Sequence, residues 1–203
     1  GLRLEKILRR SKFLLFFFSK DVVMLIHLGM TGKLFFINQK KTKYKTSFYY
    51  DINEEKDKKH DRIIFGLSRD QKLIYNDVRK FGFIKFLDKI NLNKNLHLKN
   101  LGPEPLNKKF SFAYFKKYIR GRNRTTKDIL MDQKFVSGLG NIYVNEILFF
   151  SGIRPEKKIK NLLDSDIKKI IKFTKKILLK AIALGGSSVK NFSSSNGKKG
   201  LFQ

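Results

Sequence analysis

The first half of the chain alternates short apolar runs with short polar turns. Turns such as Ser19–Asp21 and Ser68–Gln71 separate the runs, which are rich in Phe, Ile, Leu and Val. Several short strands joined by brief turns are typical of a β-sandwich or barrel-like domain. Six runs have the length of a strand: Phe13–Phe18, Val22–Ile26, Lys33–Ile37, His60–Phe65, Lys72–Tyr75 and Phe83–Leu87. The polar, lysine-rich segment between the third and fourth runs, residues 38–59, is predicted to be an exposed loop with one edge strand.

The second half has helical periodicity. Residues 101–108 carry two of the three prolines, which marks them as a linker. Beyond them, apolar residues recur every three to four positions. The predicted fold is therefore α+β, with a partial β-sandwich domain over 1–100 and an all-helical domain over 109–203. Four helices are predicted: Phe110–Ile119, Thr125–Phe135, Asn141–Ser151 and Asp164–Leu184.

A glycine turn joins the second and third predicted helices. Gly138 and Gly140 allow positive φ and close approach of the backbone to a ligand, and Asn141 stands where a helix N-cap belongs. The bare N–H groups of a helix N-terminus favour an anion, and Lys127 and Lys134 add positive charge. The turn is therefore a candidate phosphate site. The alternative is a plain helical hairpin whose glycines end one helix and whose Asn caps the next.

Net charge narrows the choice of partner. The chain has 45 basic and 17 acidic residues, a formal charge of +28, and its hydrophobic fraction of 41% predicts a folded protein. Such a field favours polyanions, with nucleic acid first and an anionic membrane surface second. The alternative is an AT-rich genome, which raises the content of Lys, Asn, Ile and Phe in all its proteins and would account for part of the lysine excess. The longest apolar runs are too short to span a bilayer and no signal peptide opens the chain, so a cytoplasmic protein is expected.

Metal chemistry finds no support within these 203 residues. There is no cysteine, and the three histidines, His27, His60 and His97, lack metal-ligand spacing. We therefore expect no cofactor in this stretch.

Five ordered motifs carry a resemblance to a known family. They are HLGMTG at His27–Gly32, NDVRKFG at Asn76–Gly82, LGPEPL at Leu101–Leu106, LMDQKFVSGLGNIYVNE at Leu130–Glu146 and GGSSVKNF at Gly185–Phe192. In order and spacing they resemble the formamidopyrimidine-DNA glycosylase and endonuclease VIII family. The resemblance implies an N-terminal β-sandwich, a helix–two-turn–helix domain and a C-terminal zinc finger that holds one Zn.

The same resemblance implies an activity in base-excision repair. Members remove 8-oxoguanine and formamidopyrimidines from duplex DNA and then nick the strand by β-elimination. The partner implied is double-stranded DNA with oxidised bases or abasic sites, bound by a monomer in the bacterial cytoplasm and nucleoid. The LGMTG loop argues against the endonuclease VIII branch. A non-catalytic damaged-DNA-binding or generic nucleic-acid-binding protein is the alternative.

Site residues follow from the matching positions. Lys12, in RRSKFLL, resembles the family lysine that assists β-elimination, and Met30, Arg79 and Phe81 resemble the residues that fill the space left by an extruded nucleotide. The loop 187–200 corresponds to the segment that folds over the extruded base. The positions that match family DNA contacts are His60, Arg79, Arg122, Lys127 and Asn141.

Two departures from the family limit what this stretch is expected to do. Members begin with Pro-Glu, the nucleophile and acid of the reaction, whereas this chain begins Gly1-Leu2. The four cysteines of the zinc finger are also missing. We expect a fragment of a longer product or a degenerate relative, truncated at both ends and inactive by itself.

Overall fold

A computed structural model describes residues 1–37, 43–46 and 58–186. Two compact units divide the chain: residues 1–23 with 87–180, and residues 24–86 with 181–203. We call them the hairpin–helix unit and the sheet unit. The boundaries at 100 and 108 that the sequence suggested stay a prediction.

A two-stranded hairpin opens the hairpin–helix unit. Strands β1 (Leu4–Arg10) and β2 (Phe13–Phe18) pair antiparallel, with Arg10 opposite Phe13 across the two-residue turn. The sheet continues through β3 (Val22–His27) to β8 (Phe83–Asp88), and this unit contains the first two residues of β3 and the last two of β8. The strands predicted at 13–18, 22–26 and 83–87 are thus present. β1 was not predicted, because six of its seven residues are exposed and its sequence shows no apolar run.

Four α-helices follow the hairpin in this unit. They are α1 (Phe112–Ile119), α2 (Thr126–Met131), α3 (Asn141–Ser151) and α4 (Asp164–Ala183), the last of which extends beyond the unit. Ser111 caps α1 and Thr125 caps α2 through side-chain oxygens that accept backbone N–H groups. One apolar stripe of α4, which includes Ile167 and Ile170, is fully buried. The remaining fully buried apolar side chains of the helical core include Phe110, Phe115, Ile129, Leu130, Phe135, Val136, Val144, Ile147 and Ile159.

Two details of the helices correct the sequence reading. The helix predicted over Thr125–Phe135 ends at Met131, because the Asp132 side chain accepts the N–H of Lys134 at 3.0 Å and starts a turn. Asn141 is not an N-cap: Gly140 occupies the cap position, and Asn141 is the first helical residue.

The sheet unit contains a second antiparallel sheet. Its order is β5-β4-β7-β6, formed by Lys43–Thr46, Gly32–Ile37, Lys72–Asp77 and Asp61–Gly66. The register sets Gly32 opposite Asp77 and Phe35 opposite Ile74. β5 is the edge strand expected between the third and fourth runs, while residues 38–42 and 47–57 of the predicted loop lie outside the described residues. Antiparallel sheets combined with helices confirm the α+β class.

None of the helices in the described part of the chain combines the length and the apolar character that crossing a membrane requires.

Candidate nucleic-acid interface

Lys12 lies at the N-terminus of helix α3. Its Nζ is close enough to Gly140 that a Cβ built on the glycine would be 3.0 Å from it. Gly140 precedes the first turn of α3, whose N–H groups carry partial positive charge. Burial of the amine lowers the pKa of Lys12 below its ordinary value. An ammonium group and a helix N-terminus on one small surface form a site with the charge and donors for an anion.

Gln133 holds the turn that presents this site. Its amide nitrogen donates to the carbonyls of Met131 and Leu139, at 3.1 and 2.8 Å. Its amide oxygen accepts the N–H of Gly138 at 2.7 Å and the hydroxyl of Ser11 at 3.3 Å. One side chain therefore ties the glycine turn to the β1–β2 turn, and Ser11 is the immediate neighbour of Lys12.

Glu104 fixes the same hairpin turn from another direction. Its carboxylate accepts the N–H of Ser11 at 2.7 Å and is paired with the guanidinium groups of Arg9 and Arg10, both at 2.9 Å. Partial burial opposes ionisation, yet the hydrogen bonds from Ser11, Arg10 and Arg9 hold the pKa of Glu104 below its usual value. The carboxylate is therefore ionised at neutral pH. Its hydrogen bond to the N–H of Ser11 supports the turn in which Ser11 has a positive φ of 56°.

Arg10 connects the hairpin turn to the glycine turn. In addition to Glu104, it donates to the hydroxyl of Ser137 at 2.6 Å and to the carbonyls of Leu101 and Gly102 at 3.0 and 2.6 Å. Ser137 is fully buried. The LGPEPL segment, the glycine turn and the hairpin thus form one hydrogen-bonded body around Lys12.

The other predicted DNA contacts of this unit lie on α2, α3 and the loop before α2. Asn141 is exposed at the start of α3, and Lys127 is half-buried in the first turn of α2. Arg122 is exposed; its Nε donates to the carbonyl of Tyr118 at 2.6 Å and its guanidinium lies 4.3 Å from the centre of the Tyr118 ring. The structure places each residue on the surface, and their contacts with DNA stay a prediction.

Met30, Arg79 and Phe81 come together in the sheet unit. An Nη of Arg79 lies 3.3 Å from the Sδ of Met30, and its guanidinium lies 4.5 Å from the centre of the Phe81 ring. Met30 and Phe81 are 48% and 56% exposed, although both are large and apolar. We call this group the Met-Arg-Phe triad. Exposed apolar side chains around a cation suit contact with base faces and edges.

A buried carboxylate lies beneath the triad. Asp77 is fully buried and accepts the hydroxyls of Thr31 and Tyr75 and the N–H of Gly82. The sequence reading passed over Asp77, although it stands inside the NDVRKFG motif. The available signal was a charged residue at the end of the strand-forming run Lys72–Tyr75, two residues after Tyr75.

His60 is the last predicted site residue of this unit. It ends a short 3₁₀ helix (Lys58–His60) before β6, and its Nδ1 lies 3.4 Å from an Nη of Arg62. The predicted loop 187–200 lies outside the described residues.

Metal ligands are not assembled in the part of the chain that the structure describes. Across residues 1–37, 43–46 and 58–186, no three His, Asp or Glu side chains are placed to hold an ion together.

Two protein-family models match the chain. The formamidopyrimidine-DNA glycosylase N-terminal domain matches residues 1–84, and the formamidopyrimidine-DNA glycosylase H2TH (helix–two-turn–helix) domain matches residues 101–193.

Curated relatives match along almost the whole chain. A formamidopyrimidine-DNA glycosylase of Listeria monocytogenes is 39% identical over 203 residues, which cover 100% of this chain and 69% of the relative. One of Rickettsia felis is 37% identical over 194 residues, or 96% of this chain and 65% of the relative. The chain thus spans about two thirds of the length of these relatives.

Solved structures of DNA complexes resemble the fold. Lactococcus lactis Fpg bound to DNA with an abasic site superposes with a TM-score of 0.81 and 34% identity, covering 98% of this chain and 68% of that one. MutM bound to DNA that contains carbocyclic 8-oxo-G gives a TM-score of 0.79 and 35% identity, covering 94% and 66%.

Proposed function

Because the chain belongs to the formamidopyrimidine-DNA glycosylase family, we propose that its complete gene product is a base-excision repair enzyme for oxidised purines. The enzyme removes 8-oxoguanine or formamidopyrimidine from duplex DNA and cleaves the strand by β-elimination. The position of Lys12 beside Gly140 and the N-terminus of α3 carries this proposal. The arrangement provides a charged donor and backbone N–H groups for the phosphate at the cleaved position.

Lys12 contributes to two steps of this reaction. As an ammonium group it holds the phosphate of the damaged nucleotide and favours departure of that phosphate in β-elimination. The lowered pKa of Lys12 makes its ammonium a stronger acid than that of an ordinary lysine. The hydrogen bonds of Gln133, Arg10 and Glu104 hold the turns on either side and keep this amine beside the N-terminus of α3.

The Met-Arg-Phe triad enters the duplex where the damaged nucleotide leaves. Met30 and Phe81 replace lost stacking, and the planar guanidinium of Arg79 donates to the orphaned base. Their exposure and mutual contacts support this role, because side chains that must enter DNA cannot be part of the protein core.

The remaining contacts hold the DNA backbone. His60, Arg122, Lys127 and Asn141 bind phosphates, which gives affinity and orientation without sequence choice. We propose that the protein acts as a cytoplasmic monomer on nucleoid DNA. The Zn of the family's zinc finger stays a prediction for the complete product, since this chain has no cysteine.

Generic nucleic-acid binding is not favoured over this function. A net charge of +28 would serve either function. A built phosphate site and an exposed triad would be superfluous in a protein that only coats polyanions.

Binding preference tests the proposal with the 203-residue chain. In moderate salt, a duplex with one abasic site opposite cytosine is expected to bind well above the same duplex without the lesion. Equal affinities that fall together as salt rises would contradict the proposal and indicate a generic polycation.

A further inference from the structure

We propose that Thr31, Asp77 and Tyr75 form a positioning cluster that fixes the Met-Arg-Phe triad for entry into DNA. The inference rests on the proposed function and deepens it. All three members of the cluster are buried, whereas all three members of the triad are exposed. The cluster therefore acts through the backbone that carries the triad, and it touches no substrate.

Thr31 joins the two loops that carry the triad. Its hydroxyl donates to Asp77 Oδ1 and accepts the backbone N–H of Arg79 at 3.0 Å. Thr31 directly follows Met30 in the chain. A single hydroxyl thus links the backbone beside Met30 to the backbone of Arg79.

Asp77 completes the link on the side of Phe81. Its Oδ2 accepts the hydroxyl of Tyr75 and the N–H of Gly82, both at 2.9 Å, and Gly82 directly follows Phe81. Burial opposes ionisation of Asp77, but hydrogen bonds from Thr31, Gly82 and Tyr75 keep its pKa below the usual value. Hydrogen bonds to an ionised acceptor are the strong ones, so the anchor is firm at neutral pH.

The backbones of the two loops are in close contact at Gly29 and Gly82. A Cβ on Gly29 would lie 2.7 Å from the backbone of Phe81 and of Gly82. A Cβ on Gly82 would lie 2.1 Å from the Tyr75 hydroxyl. The glycines permit the approach, and the cluster around Asp77 holds the loops at that distance.

A fixed backbone matters because the side chains of the triad are exposed and have few packing contacts that would hold them. Exposed side chains sample several rotamers, and ordering them on binding costs free energy. The cluster spares the additional cost of ordering the two loops, because it sets the backbone positions of the three residues in advance. Loss of the cluster should therefore reduce recognition of the lesion more than general attraction to DNA.

Thr31→Val is the main test, since it keeps the shape of the side chain and removes the hydroxyl. Affinities of the 203-residue chain would be measured for an abasic duplex and its undamaged match, with 2-aminopurine beside the lesion to report side-chain insertion. We expect Thr31→Val, which removes both hydrogen bonds of the hydroxyl, to reduce the abasic preference about tenfold, or by about 1.4 kcal/mol. Binding to undamaged duplex should stay within about twofold, and Thr31→Ser should restore both preference and fluorescence.

Thr174→Val is the matched control. Thr174 is also fully buried, and its hydroxyl donates to the carbonyl of Ile170 at 2.8 Å within α4. This variant loses a buried hydroxyl and its hydrogen bond, as Thr31→Val does, yet it should keep the wild-type preference and fluorescence.

Each result bears on a different claim. A wild-type chain without abasic preference overturns the proposed function, and the positioning cluster with it. A wild-type preference that Thr31→Val retains overturns the cluster alone. If Thr31→Val does not fold, Tyr75→Phe decides: a melt like that of wild type with a clearly reduced preference supports the cluster, and an unchanged preference overturns it.

Discussion

The Nζ atom of Lys12 lies so close to Gly140 that a Cβ at position 140 would be 3.0 Å from the amine. Gly140 has an extended backbone, with φ of −129°, so alanine would cause no backbone strain there. We expect Gly140→Ala to displace the ammonium and weaken binding to an abasic duplex several-fold, with an unchanged melting temperature. Titration of labelled duplex in parallel with thermal melts measures both effects.

Gly66→Ala is the control for that substitution. Gly66 ends β6, and a Cβ there would have no atom within 4 Å. It should bind abasic DNA as the wild type does. Equal binding by Gly140→Ala and the wild type would show that the position of Lys12 beside α3 does not matter.

The ionisation of Lys12 should respond to DNA. Burial lowers its pKa in the free protein, so the amine loses its proton at a lower pH than an ordinary lysine. A bound phosphate stabilises the ammonium and should raise that pKa, so binding at a pH close to the pKa of the free protein should take up a proton. NMR titration of the Lys12 side chain, free and with abasic duplex, checks the sign. A pKa that falls on binding would remove Lys12 from the phosphate site.

Glu104 should make stability depend on acid pH. Its pKa is depressed in the folded state, so its stabilisation is present above the unfolded value of about 4.3 and is lost as pH falls through the folded value. Glu104→Gln should therefore be less stable than the wild type by about 1–3 kcal/mol at pH 7. The difference should shrink below about pH 4, where the wild-type carboxyl is also neutral.

Denaturant unfolding at a series of pH values measures that difference. Glu5→Gln, on the exposed strand β1, should change stability by no more than about 0.5 kcal/mol. A constant difference between Glu104→Gln and wild type down to pH 3 would mean that the charge of Glu104 does not stabilise the fold.

Gln133 should be a strong determinant of stability despite its place in a turn. Gln133→Leu removes two donors and two acceptor contacts, so we expect a loss of about 2–4 kcal/mol. Gln71, in the turn before β7, bonds through its backbone, so Gln71→Leu should cost no more than about 0.5 kcal/mol. Urea unfolding compares the two variants, and equal losses would contradict the role assigned to Gln133.

Local sequence signals predicted much of the fold. Helix α3 has the predicted bounds because glycine precedes it and Gly152 ends it in a left-handed conformation, with φ of 66°. Helix α2 was predicted too long because Phe135 is apolar at helical spacing. The residue lies in the turn after α2, where it is buried against the rings of Phe115 and Tyr118 of α1. Apolar periodicity records burial, and burial does not require a helix.

The sequence predicted some residues of the site and missed others. Motif resemblance supplied Lys12 and the triad, but periodicity gave no sign of the groups that hold them. Arg10 contacts residues 94 and 127 positions away, and Thr31 contacts Asp77 46 positions away. Such partners meet only in the folded chain. A buried charge such as Asp77 requires partners, and the sequence cannot say which.

Excision by the complete gene product tests the central claim most directly. The protein would be incubated with duplexes of one sequence that carry 8-oxoguanine opposite cytosine, an oxidised pyrimidine, or no lesion. We expect release of 8-oxoguanine and strand cleavage by β-elimination, with cleavage reduced in Lys12→Ala far more than in a surface control such as Lys85→Ala. Full activity on the oxidised pyrimidine and none on 8-oxoguanine, or no cleavage of any duplex, would contradict the account.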